Sequence, residues 1–399
     1  MLIYIDICPF TGYSRYNSIQ QYVMHMQQIQ YTSKNYFTIT EQPMAGTSVH
    51  NFLKVLSDNH FHIDTPFLPR ALYVLSMATG LTPFRIYEKR KYRKTIENTP
   101  VKNPLFIIGH FRSGTTFLHY LLGQDSNLGY VSTFETMTPG MIIANEPLFK
   151  NIVKNHLPAK RPMDDLEMHA NLPYEEEYAI ANLSPHSFYL GWYFPRRWKY
   201  YFDKYVTHET ISETELSSWK KTYTYFLKKI SLKKKCHHLL LKSLVDTAKI
   251  KTLIDLFPNA KFIHIYRNPY KVYLSTWKLY KKILPIFSFQ HIDSETLDEN
   301  ILYSYQQLYK HFFSQKHLIP KQNLIEFSYE TFISDPLTQT KMIYDQLDIP
   351  GFQTAEQSLK QYIHKHRNYK ADTYNFTNGI KEKVYHRWKT SFDKLGYDY

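Results

Sequence analysis

Leu105-Phe106-Ile107-Ile108-Gly109-His110-Phe111-Arg112-Ser113-Gly114-Thr115-Thr116, continued by Phe117-Leu118-His119-Tyr120-Leu121-Leu122, decides the fold of this chain. Four apolar, β-prone residues in succession predict a strand buried on both faces. Gly109 ends that run, and Thr115 to Leu122 reads as a helix. The connection has the spacing of a phosphate loop, G-x-x-x-x-G followed by two hydroxyl residues. Its glycines allow a sharp turn, and the amides of the loop and first helical turn then point at an anion. In triphosphate-binding loops a Lys follows the second glycine and reaches the β- and γ-phosphates, while Ser or Thr holds magnesium. Thr115 takes that place here. The cation of the loop is Arg112, whose planar guanidinium suits two oxygens of one phosphate. Triphosphate chemistry is therefore disfavoured.

Outward from this loop the same rhythm recurs. Leu239 to Leu241 is a second apolar run, followed by a helix predicted from about Ala248 to Phe257 and stopped by Pro258-Asn259. Lys261 to Tyr266 is a third, followed by Arg267-Asn268-Pro269 and another helix. Leu324 to Phe327 is a fourth, ahead of a helix around Met342 to Leu347. Short apolar strands alternating with helices predict an α/β fold with a mostly parallel sheet covered on both faces. Ligands on such sheets bind beyond the carboxyl ends of the strands. Arg112, Lys242 and Arg267 all leave such ends and are expected at one crevice. Upstream, Arg70 to Tyr87 has helical periodicity, and Glu88 to Ile96 continues it as a basic helix. Residues 1–46, polar and rich in Tyr and Gln, read as an N-terminal appendage without predicted regular structure. Residues 47–399 read as the main domain.

A formal charge of +14 over 399 residues points to an anionic partner. The basic runs Glu88 to Lys94 and Lys228 to Lys235 are expected to be solvated helix faces. Hydrophobic residues make up 43% of the chain, enough for a sizeable core rather than disorder. Cys8 and Cys236 suit neither a disulfide framework nor a zinc site, which predicts a reducing, cytoplasmic setting. The sequence shows no signal-peptide pattern and no run near the roughly 18 apolar residues of a spanning helix. No transmembrane segment is expected, and peripheral contact with a lipid surface is left open.

The run FIIGHFRSGTTFLHYLL (106–122) resembles the 5′-phosphosulfate-binding loop of sulfotransferases, especially a bacterial-type branch with G-[HP]-x-R-S-G-T-T after a strand. FPNAKFIHIYRNPYKVYLST (257–276) resembles that family's 3′-phosphate-binding segment, with Arg267 at a strand end and Ser275 eight residues on. HLLLKS (238–243) is similar to the strand that ends in the family's Lys-[ST] element, and FSYETFISDP (327–336) adds to the match. The resemblance covers roughly Asn51 to the C-terminus. It implies the three-layer, P-loop nucleotide-kinase-like fold of sulfotransferases with helical insertions. It also implies transfer of a sulfuryl group from 3′-phosphoadenylyl sulfate to a hydroxyl or amine, leaving adenosine 3′,5′-bisphosphate and needing no metal. Arg112, Ser113, Gly114, Thr115 and Thr116 would cradle the 5′-phosphosulfate, and Arg267 with Ser275 the 3′-phosphate. Lys242 would bind the bridging oxygen.

An alcohol acceptor must lose a proton as it attacks, so a general base is expected within hydrogen-bond reach. The cytosolic branch has a His two residues after its Lys; Leu244 stands there instead. Leu244 and Asp246 also differ from the residues that relatives commonly carry. Two carboxylates are the candidates. Glu135, in Ser132 to Thr136, follows the first helix much as a catalytic Glu does in tyrosylprotein sulfotransferases, though with longer spacing. Glu175, the first of Glu175-Glu176-Glu177, aligns with the family's P-x-E-[DE]-E-[FY]-A segment, while acids after Pro173 also suit a helix start. His110, His119, His169 and His186 read as structural, and the aromatic stretch Ser187 to Tyr201 reads as core rather than an acceptor pocket or a lipid-facing surface. The acceptor stays open among carbohydrate, lipid and small metabolite. Two other functions are weighed: a P-loop kinase, against which stands Thr115 in place of Lys, and a basic nucleic-acid-binding protein on a decayed nucleotide fold, whose affinity would fall steeply with salt.

Overall fold

A computed structural model describes residues 29–161, 166–367, 374 and 376–399. The four predicted strands are present: β1 (Asn103–Ile108), β3 (His238–Lys242), β4 (Lys261–Tyr266) and β5 (Leu324–Ser328). A fifth, β2 (Leu128–Tyr130), joins the edge, and the order is β2-β3-β1-β4-β5. Every pairing is parallel. Because β1 and β3 lie within the sheet, both faces of each are covered, which is why their sequences are continuous apolar runs rather than alternating ones. Residues 105–108 and 239–241 are fully buried.

Helices cover the sheet on two sides. Phe106, Ile108, Leu239 and Leu241 face the larger core, while Leu105, Ile107 and Leu240 face a smaller one with Leu118, Leu121 and Leu122 of the helix Thr115–Leu122. The large core is rich in aromatic rings: Trp192 stacks on Tyr189 at 4.1 Å and Tyr305 on Trp388 at 3.7 Å. The aromatic stretch 187–201 is accordingly mostly core, with Tyr200 exposed at its edge.

Of the segment 1–46, residues 1–28 lie outside the described residues, Cys8 among them. Residues 29–46 carry a short helix at Ser33–Phe37 and a tight turn at Pro43–Gly46, where Pro43, Met44 and Gly46 are buried. Tertiary hydrogen bonds hold this stretch, which is why its sequence lacks periodicity. Asn182 donates to the Pro43 carbonyl at 2.9 Å, and the buried Arg70 guanidinium donates to the Asn35, Pro285 and Ser288 carbonyls.

The basic run 228–235 departs from a solvated face. Lys229 is buried and ion-paired with Glu88 at 2.5 Å, and Glu88 also accepts from the amides of Ile142, Ile143 and Ala144. A helix residue facing inward under a charge-rich sequence is visible only once its partner is placed. Among the described residues no helix is long and apolar enough to cross a membrane.

Candidate active site

The loop after β1 is fixed by two glycines that nothing larger could replace. Gly109 has φ +140°, and a Cβ there would lie 2.2 Å from the Ile265 carbonyl oxygen of β4. Gly114 has φ +92° and heads the helix Thr115–Leu122, and a Cβ would lie 2.3 Å from the Tyr329 ring. Thr247 closes the base of the loop: its hydroxyl accepts from the Gly109 amide at 2.8 Å and donates to the Gly109 carbonyl at 3.2 Å. Between the glycines Arg112 adopts φ +67°, a left-handed conformation uncommon for a residue with a side chain.

Neighbouring groups stabilise that conformation. The Arg112 Nε donates to Ser275 Oγ at 2.8 Å, and Arg267 Nη1 donates to the Arg112 carbonyl at 3.1 Å. The Arg267 guanidinium lies over the Tyr329 ring, 4.5 Å from its centroid. Arg112, Arg267 and Ser275, which sequence places far apart, therefore form one cluster. Ser275 sits about two turns into the helix Pro269–Phe287, so the eight-residue interval turns its hydroxyl back towards the end of β4.

Lys242, the last residue of β3, shares a narrow cleft with Arg112, Thr115, Thr116 and Glu175. Its ammonium is ion-paired with Glu175, whose other oxygen accepts from the Tyr189 hydroxyl. Burial pulls the Lys242 pKa down, and the Glu175 charge opposes that pull. Behind the cleft, Glu176 accepts from the Lys242 amide at 3.2 Å. Burial raises the Glu176 pKa well above the carboxylate range, and the charge of neighbouring Asp246 adds to it. Burial likewise brings Asp246 to about 6. Glu177 accepts from the Ser187 hydroxyl at 2.6 Å and from the Phe188 amide. The three adjacent carboxylates thus have three destinations, and Glu175 alone of them lines the cleft.

Glu135 lies elsewhere. It is the third residue of the helix Thr133–Met137, where it forms a reciprocal capping box with Ser132. It is also ion-paired with Lys233 and Lys234, at 3.0 and 3.1 Å. Burial would raise its pKa, but the charges of Lys234 and Lys233 outweigh burial and hold it below the usual value. Glu135 does not line the cleft, because the cap turns its carboxylate back onto its own helix; Glu175 is the candidate that reaches Lys242.

Sequence reasoning missed Arg161. Nearly buried, it donates to Thr116 Oγ1 at 3.4 Å and lines the cleft together with Lys242. It precedes no motif and follows no strand, so nothing in the pattern flags it. With Tyr174 it also borders a second, larger cavity of about 450 Å³. That cavity is walled mainly by apolar groups, including Met77, Leu81, Phe149, Val153 and Met168, and by the turn at residues 42–46.

A parallel sheet with a glycine-bounded loop at the end of β1, and further cationic groups leaving β3 and β4, has the layout of a P-loop-type fold with a crevice suited to an anionic group. Residues 104–354 match the family model described as the sulfotransferase family. The chain is 31% identical over 357 residues to an omega-hydroxy-beta-dihydromenaquinone-9 sulfotransferase of Mycobacterium bovis and to its counterpart in Mycobacterium tuberculosis, covering 88% of this chain and 90% of each relative. Crystal structures of the sulfotransferases STF9 of Mycobacterium avium and STF1 of Mycobacterium tuberculosis superpose with TM-scores of 0.64 each at 16% identity. They cover 88% and 91% of this chain, and 97% and 99% of theirs. The chain belongs to the sulfotransferase family and is a sulfotransferase.

Proposed function

We propose that the enzyme transfers a sulfuryl group from 3′-phosphoadenylyl sulfate to the hydroxyl of a lipid-like acceptor, releasing adenosine 3′,5′-bisphosphate. The observation that carries this reading is the meeting of Lys242, Glu175 and the Arg112–Thr116 loop in one cleft, with Arg267 and Ser275 joined to Arg112 behind it. The fit of a doubly phosphorylated donor is supported by buried polar atoms that have no partner among the described residues: Ser113 Oγ, Ser243 Oγ and Arg267 Nε. Such atoms are costly unless a ligand or water satisfies them.

Transfer breaks the donor's sulfur–oxygen bond at the bridging oxygen and forms a new one to the acceptor oxygen, through a loose transition state that asks mainly for positioning and charge stabilisation. Ser113 to Thr116 offer backbone and hydroxyl donors to the phosphosulfate, and Arg112 a guanidinium. Lys242 neutralises charge on the leaving oxygen. Glu175 accepts the acceptor's proton, with Tyr189 fixing the carboxylate. In the resting arrangement Lys242 and Glu175 satisfy each other, and donor binding separates them to these two roles. Arg267 and Ser275 hold the 3′-phosphate.

A lipid-like acceptor is supported by the apolar cavity that shares Arg161 and Tyr174 with the cleft as common walls. Its volume falls within the roughly 300 to 1,000 Å³ of small-molecule sites. The name of the mycobacterial relative, which describes a hydroxylated menaquinone as its acceptor, agrees. A cytoplasmic setting belongs to the same reading, supported by the sparse cysteines. The test is calorimetric titration with adenosine 3′,5′-bisphosphate beside ATP and magnesium, followed by sulfate transfer to a long-chain alcohol and to a sugar. Tighter binding of the bisphosphate and transfer to the alcohol are expected. Preference for ATP would sink the donor assignment, and preference for the sugar the acceptor assignment.

A further inference from the structure

Two of the helices in the wall of the apolar cavity lie beside a third. Tyr73 and Met77 of the helix Leu68–Gly80 line it, as do Phe149 and Ile152 of the helix Glu146–His156. Phe84 of the intervening helix Thr82–Asn98 packs edge-to-face on Phe149, with ring centroids 5.1 Å apart, so the three meet beside the cavity. Their outward faces expose large apolar side chains: Leu72 is 63% accessible, Leu148 53% and Ile86 45%. Ile152 both lines the cavity and is exposed, which places it at the mouth.

Cations border this apolar face. Lys89, Arg90, Lys91 and Lys94 are exposed on the helix Thr82–Asn98, and Lys154 on the helix Glu146–His156. Of the nearby carboxylates, Glu88 is buried with Lys229, Glu97 is bonded to Arg93 at 2.8 Å and Glu146 is paired with Lys233 and Lys150, which leaves the exposed Glu41 of the cavity wall against five cations. The margin is therefore net positive.

An apolar rim with a basic margin is complementary to a bilayer carrying anionic headgroups, whose acyl chains can take the leucines while its phosphates take the lysines. We propose that this face docks on an anionic membrane with the cavity mouth turned into the lipid, so that a chain-bearing acceptor passes from bilayer to cleft without crossing water. The delivery role rests on the lipid-like acceptor proposed above, whereas docking can be measured without it.

Flotation of the full chain with vesicles of phosphatidylcholine alone, and with one part in four of phosphatidylglycerol, tests the proposal. Binding to the anionic vesicles is expected to exceed binding to the neutral ones by about tenfold and to weaken as salt is raised. The pair Leu72→Glu and Leu148→Glu, neither of which lines the cavity, is expected to lower the bound fraction by about tenfold. Bisphosphate affinity in that variant should be unchanged, which verifies its fold. Lys91→Glu with Lys94→Glu should reduce binding to the anionic vesicles and not to the neutral ones. A wild-type chain that binds bisphosphate but no vesicles overturns docking and leaves the transferase reading standing. Sedimentation that finds this face covered by a second copy of the chain, with no vesicle binding, overturns it too.

Discussion

Replacing Arg267 by Ala isolates the part of the site that would distinguish a doubly phosphorylated donor from an ordinary mononucleotide. In the fold Arg267 makes one structural hydrogen bond, from Nη1 to the Arg112 carbonyl at 3.1 Å, while its buried Nε has no partner among the described residues. The variant therefore loses two things. Release of the Arg112 carbonyl loosens the loop and weakens every nucleotide that uses it. Loss of the guanidinium removes one or two charged hydrogen bonds that only a 3′-phosphate could make, each worth about 1.5 to 3 kcal/mol. At about 1.4 kcal/mol per decade, even one such bond is roughly a tenfold to hundredfold loss. Titration of wild type and variant with adenosine 3′,5′-bisphosphate and with 5′-AMP separates the two, because the loop term is common to both ligands and cancels in the ratio. The bisphosphate should lose at least about tenfold more affinity than 5′-AMP. Equal losses would mean that Arg267 only supports the loop, and the 3′-phosphate assignment would fail. Arg267→Lys, which keeps a charge but not the fork, should recover part of the difference.

Other consequences are more direct. Lys242→Ala is expected to lower kcat by about a hundredfold to a thousandfold with bisphosphate affinity within a few-fold of wild type, as for a donor acting on transition-state charge; a loss confined to KM would contradict its role. Glu88→Ala removes the acceptor of three amides and leaves the buried Lys229 ammonium with the Pro139 carbonyl but no counter-charge, so urea unfolding should show a loss of about 3 to 5 kcal/mol, the range for breaking a buried pair. The Glu176–Asp246 pair makes stability depend on pH. Burial raises both carboxyls, Asp246 to about 6, so the folded state binds more protons than the unfolded one. Their contribution is full below the unfolded carboxylate range and declines as pH rises, that of Asp246 being lost through about 6 and that of Glu176 at higher pH. Relative to wild type, Glu176→Gln should therefore lose less stability between pH 5 and pH 7, and parallel urea midpoints for the two proteins would refute the coupling.

What the sequence revealed follows from how local each signal is. The strands β1, β3 and β4 are legible because central parallel strands bury both faces, while β5, at the edge of the sheet, is legible from Leu324, Ile325 and Phe327. β2 is three residues with Gly129 at its centre, too short and too weak in β propensity to separate from a turn. Residues 29–46 have no rhythm because carbonyl contacts to Arg70 and Asn182 hold them, and such contacts leave no period in the chain. The loop was readable for the opposite reason: Gly109 and Gly114 are each demanded by backbone geometry, and Arg112 is the cation between them. The link from Arg112 to Ser275 spans 163 positions and was approached only through resemblance of the second segment to a known one.

The carboxylates show where that reading stops. Glu175, Glu176 and Glu177 are adjacent, and a helix start favours acids at all of them, so composition ranks none above the others. The backbone separates them. Glu175 is the residue before the helix Glu176–Leu183, in extended conformation, and its carboxylate points at Lys242. Glu176 and Glu177, already in the helical turn, are carried under the cleft, one to the Lys242 amide and Asp246 and the other to Ser187 and Phe188. One residue of register thus moves a carboxylate from the cleft to its foundation. If that assignment holds, Glu175→Gln should lower kcat by about a hundredfold or more, and it should also cost stability, because one amide oxygen cannot accept from both Lys242 and Tyr189 and the buried ammonium loses its counter-charge. Glu177→Gln should lose stability and keep kcat near the wild-type value. A variant pair that exchanged these behaviours would place the base on the helix rather than before it.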